Sequence, residues 1–133
     1  MSADNDVGVL QAVGDATGIT WAIKLGSGSY GSVYLGHHPG MGGKLAGKVL
    51  RGARGDFPAQ ALRESAVMHG LRDCPRLLQL RGTACTDRGD VVLVTPAYDY
   101  SLRDFMVLND SLPLPVVKWV FAESARALHE LHR

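Results

Sequence analysis

An α+β fold built on an antiparallel sheet is the architecture that this 133-residue sequence predicts. Three features carry that reading. Residues 19–25 place Ile19, Trp21, Ile23 and Leu25 on one side at the period of a strand. Two more strand-like runs, 32–35 and 44–50, follow a glycine loop at 26–31 and a long turn at 37–43, so the three form an antiparallel meander. From residue 57 the period changes to that of a helix, with Phe57, Ala61, Met68 and Leu71 on one stripe.

The remaining elements follow in order. Residues 1–18 are polar and spotted with glycine, which reads as a loose, flexible lead-in. After the helix, residues 77–84 and 91–95 read as strands four and five, joined by a turn at Asp87-Arg88-Gly89-Asp90. Residues 96–101 form an extended connector, and a short helix occupies 102–107. A last helix opens after Pro113 and Pro115, since proline suits a first helical turn. It carries Val117, Val120, Phe121, Ala125, Leu128 and Leu131 at three- and four-residue spacing. That stripe is still in register at Arg133 with no glycine or proline stop, so an interrupted fold is expected.

Composition narrows the function classes. Hydrophobic residues are 46% and charged residues 20%, as in a globular domain with a modest core. A net charge of +1 argues against a nucleic-acid partner held by broad phosphate neutralisation. The absence of any apolar run near ~18 residues argues against a membrane span. The acidic start Met1-Ser2-Ala3-Asp4-Asn5-Asp6 lacks a signal-peptide pattern. Cys74 and Cys85 are too few for a disulfide framework and wrongly spaced for zinc. Together these predict a cytoplasmic protein with two reduced thiols.

The chemistry concentrates where glycine does. Ten of the 16 glycines fall between Gly26 and Gly55, and residues 16–55 hold Lys24, Lys44, Lys48, Arg51 and Arg54 with no acid. A glycine-dense basic segment in a near-neutral chain points to a bound polyphosphate. Its centre is Gly26-Ser27-Gly28-Ser29-Tyr30-Gly31-Ser32-Val33, where missing β-carbons let backbone N–H groups approach phosphate oxygens. In dinucleotide-binding folds the third glycine opens a helix and an acid follows about 20 residues on. Here the third glycine leads into a strand, and Lys48 stands 22 residues after Gly26. A Walker loop is also excluded, because no Gly-Lys-Ser/Thr follows. The plain alternative is a glycine-rich hairpin turn.

Lys48 shares its strand face with Ala46 and Leu50, so its charge needs an anion. Glu64 interrupts the apolar helix stripe Ala61, Met68, Leu71. A lysine and a carboxylate each on an apolar face suggest a pair, the alternative being two independent surface charges. His129 and His132, three apart on a helix, have no third partner nearby for a metal. Tyr30, at the loop tip, is a candidate phosphorylation site by position alone.

Gly26-x-Gly28-x-x-Gly31-x-Val33, then Leu45-Ala46-x-Lys48, then Glu64 in the next helix, resembles the N-terminal lobe of eukaryotic protein kinases over roughly residues 19–133. The resemblance implies a kinase-like N-lobe at 19–95, a five-stranded antiparallel sheet with one main helix. A hinge follows at 96–101, and the first helices of the C-lobe occupy 102–133. It implies an ATP site formed by Leu25, Gly26, Ser27, Gly28, Ser29, Tyr30, Gly31, Val33, Ala46, Lys48, Thr95, Pro96 and Tyr98. In it the loop covers the phosphates, Lys48 contacts the α- and β-phosphates, and Glu64 holds Lys48. Val33 and Ala46 sandwich the adenine, and Thr95 is the gatekeeper. Pro96 keeps its carbonyl and Tyr98 keeps its N–H for the base. Met68, Leu80 and Thr95 fall where the family stacks its regulatory spine.

The sequence also departs from the family. Gly47 stands beside the lysine in place of a branched residue, which is expected to loosen the strand. Pro96 replaces the more usual acid at the first hinge position. No H-R-D-x-x-x-x-N, D-F-G or A-P-E run occurs, so no catalytic residue is assigned and magnesium ligands are expected only beyond Arg133. The expectation is the ATP-binding portion of a kinase that passes the γ-phosphate to a protein Ser/Thr hydroxyl, with Tyr as the lesser option, and that is inactive by itself. Alternatives are a truncated nucleotide-binding or docking module without phosphotransfer, or an unrelated glycine-rich β-domain.

Overall fold

The computed structural model describes residues 3–28, 31–53, 56–99, 101–108 and 111–132. Strands β1 (Thr20–Gly28), β2 (Gly31–His38), β3 (Met41–Leu50), β4 (Gly82–Cys85) and β5 (Val91–Pro96) form one antiparallel sheet in the order β1-β2-β3-β5-β4. Helix α1 (Ala3–Thr17) precedes it, α2 (Ala59–Gly70) lies between β3 and β4, and α3 (Leu102–Leu108) and α4 (Leu114–Leu131) follow. The α+β class with a five-stranded antiparallel sheet is therefore as expected. Among the described residues, no helix is long and apolar enough to cross a membrane.

Residues 3–17 are a helix, not the loose lead-in that the sequence suggests. Val9, Leu10 and Val13 of α1 are buried together with Ile19, Tyr34, Leu45, Val49, Val92 and Val94. Two interior glycines, Gly8 and Gly14, hide the helix, since each is unfavourable there by about 1 kcal/mol. Burying three aliphatic side chains contributes about 1.5–3 kcal/mol each, so packing prevails over propensity. Gly14 also serves that packing, because a β-carbon on it would lie 2.9 Å from the Ile19 carbonyl oxygen. The helix ends where the Gly18 N–H donates to the Gly14 carbonyl at 2.8 Å, Gly18 taking a φ of 81°.

Strand alternation gives the sheet two different faces. Leu45 and Val49 of β3, with Tyr34, Val92 and Val94, face α1. Ala46, Lys48 and Leu50 point the other way. There Leu50, Val91, Leu93 and Ala61 of α2 make a second, smaller cluster with Leu80 against it. Gly47 belongs to the α1 face, where the Trp21 indole lies across Gly36 and Gly47. A β-carbon would come within 2.7 Å of the ring at Gly36 and 2.3 Å at Gly47. The residue expected to loosen the strand is thus the floor of a slot for an aromatic ring.

Two other sequence expectations are corrected. The alternation in β1 holds at Ile19 and Trp21 only, since Ile23 is 65% and Leu25 48% exposed. Register shifts between Trp21 and Lys24 and between Lys24 and Gly26 turn the strand out of period. The fourth strand runs over 82–85 rather than 77–84. The Gln79 amide donates to the carbonyls of Cys74 at 2.7 Å and Leu77 at 3.0 Å, and so holds the apolar run before it in a turn. The apolar stripe on α4 lies exposed, Phe121 at 73% and Leu128 at 53%. Ion pairs join α4 to the segment before β4: Arg76 lies 2.9 Å from Glu130 and 3.6 Å from Glu123.

Beneath α1 sits a polar cluster in an otherwise apolar core. The Tyr34 hydroxyl donates to Asp6 Oδ2 at 2.7 Å. The Arg51 guanidinium reaches Asp6 Oδ1 at 3.4 Å and Asp90 Oδ1 at 3.5 Å. Asp90, which reads as a turn residue in the sequence, is 3% exposed and accepts from the Gly52 N–H at 2.8 Å and the Thr86 hydroxyl at 3.2 Å. Burial, and then the hydrogen bond to the Asp6 carboxylate and its charge, push the Tyr34 phenol up to about 12. Its folded value lies above its ordinary one, so its stabilising contribution is complete below about pH 10 and is lost as pH rises through about 12. Absorbance at 295 nm should therefore show one of the four tyrosines ionising late, near pH 12, and Tyr34→Phe should remove that step. A titration in which every tyrosine ionises near pH 10 would contradict this placement.

Candidate nucleotide site

The site begins at the β1–β2 hairpin. Gly28 pairs with Gly31, Ser27 with Ser32 and Gly26 with Val33. Ser29 and Tyr30, the loop tip and the proposed phosphorylation position, lie outside the described residues. Gly31 takes a φ of 136° and packs so closely on β3 that a β-carbon would be 2.2 Å from the Val49 carbonyl oxygen. Only glycine fits there. The third glycine opens strand β2, not a helix, which excludes the dinucleotide and Walker arrangements by geometry.

Register then assembles one wall. Val33 lies opposite Lys48, Leu35 opposite Ala46, and Ala46 opposite Thr95, so Val33, Ala46, Lys48 and Thr95 share a sheet face and are all half-buried. Pro96 pairs with Leu45 at the end of the sheet, and the Ala97 N–H donates to the Lys44 carbonyl at 2.9 Å. The segment that the sequence reads as a hinge thus leaves the sheet as an extension of β5. Leu25 is half-exposed on β1, and Tyr98 projects beyond the sheet at 72% exposure. The structure gathers the other described candidates into the sheet, while Tyr98 stands apart from them.

On this wall the Lys48 ammonium meets Glu64 Oε1 at 2.8 Å. Strand β3 delivers the lysine and α2 the carboxylate. Their side chains are 26% and 33% exposed. An ion pair so close to solvent contributes only about 0–1 kcal/mol to folding. Its value is positional: a cation fixed at the inner end of an apolar shelf, beside a run of glycines. The other carboxylate oxygen, Glu64 Oε2, accepts from the Gln60 amide at 3.2 Å. The residues present suit a nucleoside triphosphate. Val33 and Ala46 offer a surface for a base and Lys48 a charge for phosphate, and the glycine of the hairpin, Gly31, lies two residues before Val33.

Sequence reasoning missed Gln60 and the Arg51–Asp90 link. Gln60 is one helical turn before Glu64, and that spacing is a readable signal. Arg51 and Asp90 are 39 residues apart, and only the fold brings them together.

Comparison with known proteins places the chain near kinases. No family model matches it. It is 27% identical over 112 residues to the carbon catabolite-derepressing protein kinases of Candida tropicalis and Candida albicans, covering 82% of this chain and 18% of each relative. It is also 36% identical over 121 residues to U-box domain-containing protein 52 of Arabidopsis thaliana, covering 84% of this chain and 13% of that protein. The chain spans less than a fifth of the length of these relatives. Sheet order, strand direction and this sequence similarity agree: the chain is a distant homologue of protein kinases across most of its length, with an architecture consistent with a kinase-like N-lobe.

Proposed function

We propose that this chain is the ATP-binding part of a protein kinase. The observation that carries the reading is the Lys48–Glu64 contact of 2.8 Å on the half-buried face that also holds Val33, Ala46 and Thr95. Lys48 would contact the α- and β-phosphates while Glu64 holds it in place. Gly26, Ser27, Gly28, Ser29, Tyr30 and Gly31 would cover the phosphates. Leu25, Val33 and Ala46 would enclose the adenine, with Thr95 behind it and Pro96 and Tyr98 at its edge. Magnesium would sit on the nucleotide phosphates and be held by residues outside 1–133.

Residues 1–133 hold no H-R-D or D-F-G run, so we assign transfer of the γ-phosphate, to a Ser/Thr hydroxyl of a protein substrate in the first instance, to chain outside this stretch. What these residues contribute is positioning and charge neutralisation.

Titration with a fluorescent ATP analogue tests the reading. Wild type is expected to bind saturably and to melt at a higher temperature with ATP. Lys48→Met is expected to weaken binding by roughly 10- to 100-fold, the range of one charge-assisted hydrogen bond, with its own melting temperature little changed. Equal binding by the two proteins would sink the proposal.

A further inference from the structure

We propose that Gln60 is a positioning residue for the Lys48–Glu64 pair, an inference that rests on the nucleotide-site reading above. Glu64 has two partners, one for each oxygen: Lys48 at Oε1 and, from the same helix one turn earlier, the Gln60 amide at Oε2. A glutamate that is one-third exposed is otherwise free to rotate about its terminal torsion and to exchange partners with water. The amide removes that freedom. It donates to one oxygen and leaves the other aimed at β3.

The chemistry of glutamine matters here. As a neutral donor it fixes the carboxylate without supplying a second cation that would compete with Lys48 for its charge. The pair is therefore set before any nucleotide arrives, and less ordering of Lys48 remains to be done at binding. Glutamate at position 60 would have the same shape and no donor, and would put a second negative charge against Glu64. That change separates positioning from a structural role. Gln60 is the second residue of α2, whose first turn holds no acid, so a carboxylate there suits the positive end of the helix.

The experiment uses the whole chain labelled with ε-15N lysine, the Lys48 ammonium signal being assigned by its absence in Lys48→Met. In wild type the signal is expected to be protected, as for an ammonium held in an ion pair. Gln60→Ala is expected to broaden it and to weaken binding of the fluorescent ATP analogue about 2- to 10-fold, the range of one neutral hydrogen bond. Gln60→Glu is expected to weaken binding further while its melting temperature is unchanged or raised. If Gln60→Glu does not fold, Gln60→Met, a non-donor of similar length and good helix propensity, takes its place with the loss expected of Gln60→Ala. An unchanged Lys48 signal with unchanged affinity in these variants overturns the proposal. Should wild type bind no nucleotide, the site reading fails, and the Lys48 signal alone decides the role of Gln60.

Discussion

Gly47→Val is expected to destabilise the chain by about 3 kcal/mol or more, at the upper end of what overpacking a core causes. The added β-carbon would stand 2.3 and 2.4 Å from two atoms of the Trp21 ring, and 3.2 Å from a methyl of Val92. A long aliphatic side chain in that position could turn away, but an indole is rigid and this one is confined. Gly36 lies beneath the same ring edge, and Gly14 of α1 approaches its pyrrole side within 3.7 Å once a β-carbon is imagined on it. The ring would have to leave the slot, taking the α1 contact with it. Urea unfolding would measure the loss as a lower midpoint. Trp21→Ala combined with Gly47→Val is expected to lose less than the sum of the two single changes, because the clash is removed with the ring. Simple additivity would show that the indole is not seated on Gly47.

Arg51→Met is expected to be of similar or greater severity, about 3–5 kcal/mol, the range for removing one member of a buried ion pair. The arginine lies between two carboxylates that are nearly inaccessible, Asp6 at 7% and Asp90 at 3% exposure. Among the described residues, Asp6 would then keep the Tyr34 hydroxyl, and Asp90 its Gly52 and Thr86 donors without a cation. Methionine fills the volume, so the deficit would be electrostatic rather than a cavity. A melting curve of Arg51→Met that matches wild type at neutral pH would refute the bridging role.

Much of this arrangement is legible in the sequence, for stated physical reasons. The continuous apolar run of β5 and the helical stripe of α2 announce their elements because burial on two faces or on one leaves its mark on the sequence. Lys48 and Glu64 stand out as charges on apolar stripes, and the fold joins them. Elsewhere local signals mislead. Gly8 and Gly14 disguise α1, whose stability comes from the sheet beneath it rather than from its own residues. Leu77, Leu78 and Leu80 look like a strand because they are apolar, yet the Gln79 side chain supplies the hydrogen bonds that a neighbouring strand would have made. Gly47 looks like a weak point until Trp21, 26 residues earlier, is placed on it. Asp90 has the composition of a surface turn. Its role depends on an arginine and a helix that no local window contains.

The unequal covering of the two sheet faces has a consequence for motion. On the α1 side nine buried residues and a cross-linked polar cluster tie helix, strands and turn into one cooperative block. On the Lys48 side, among the described residues, the buried cluster is Leu50, Ala61, Val91 and Leu93, and Ala61 is the contribution of α2. Local opening is easiest where apolar burial is least. Amides of α2 should thus exchange through partial openings that leave the α1 side closed. The carboxylate that steadies Lys48 rides on a helix with a single buried residue, so the site could be disassembled and rebuilt without melting the α1 side of the fold.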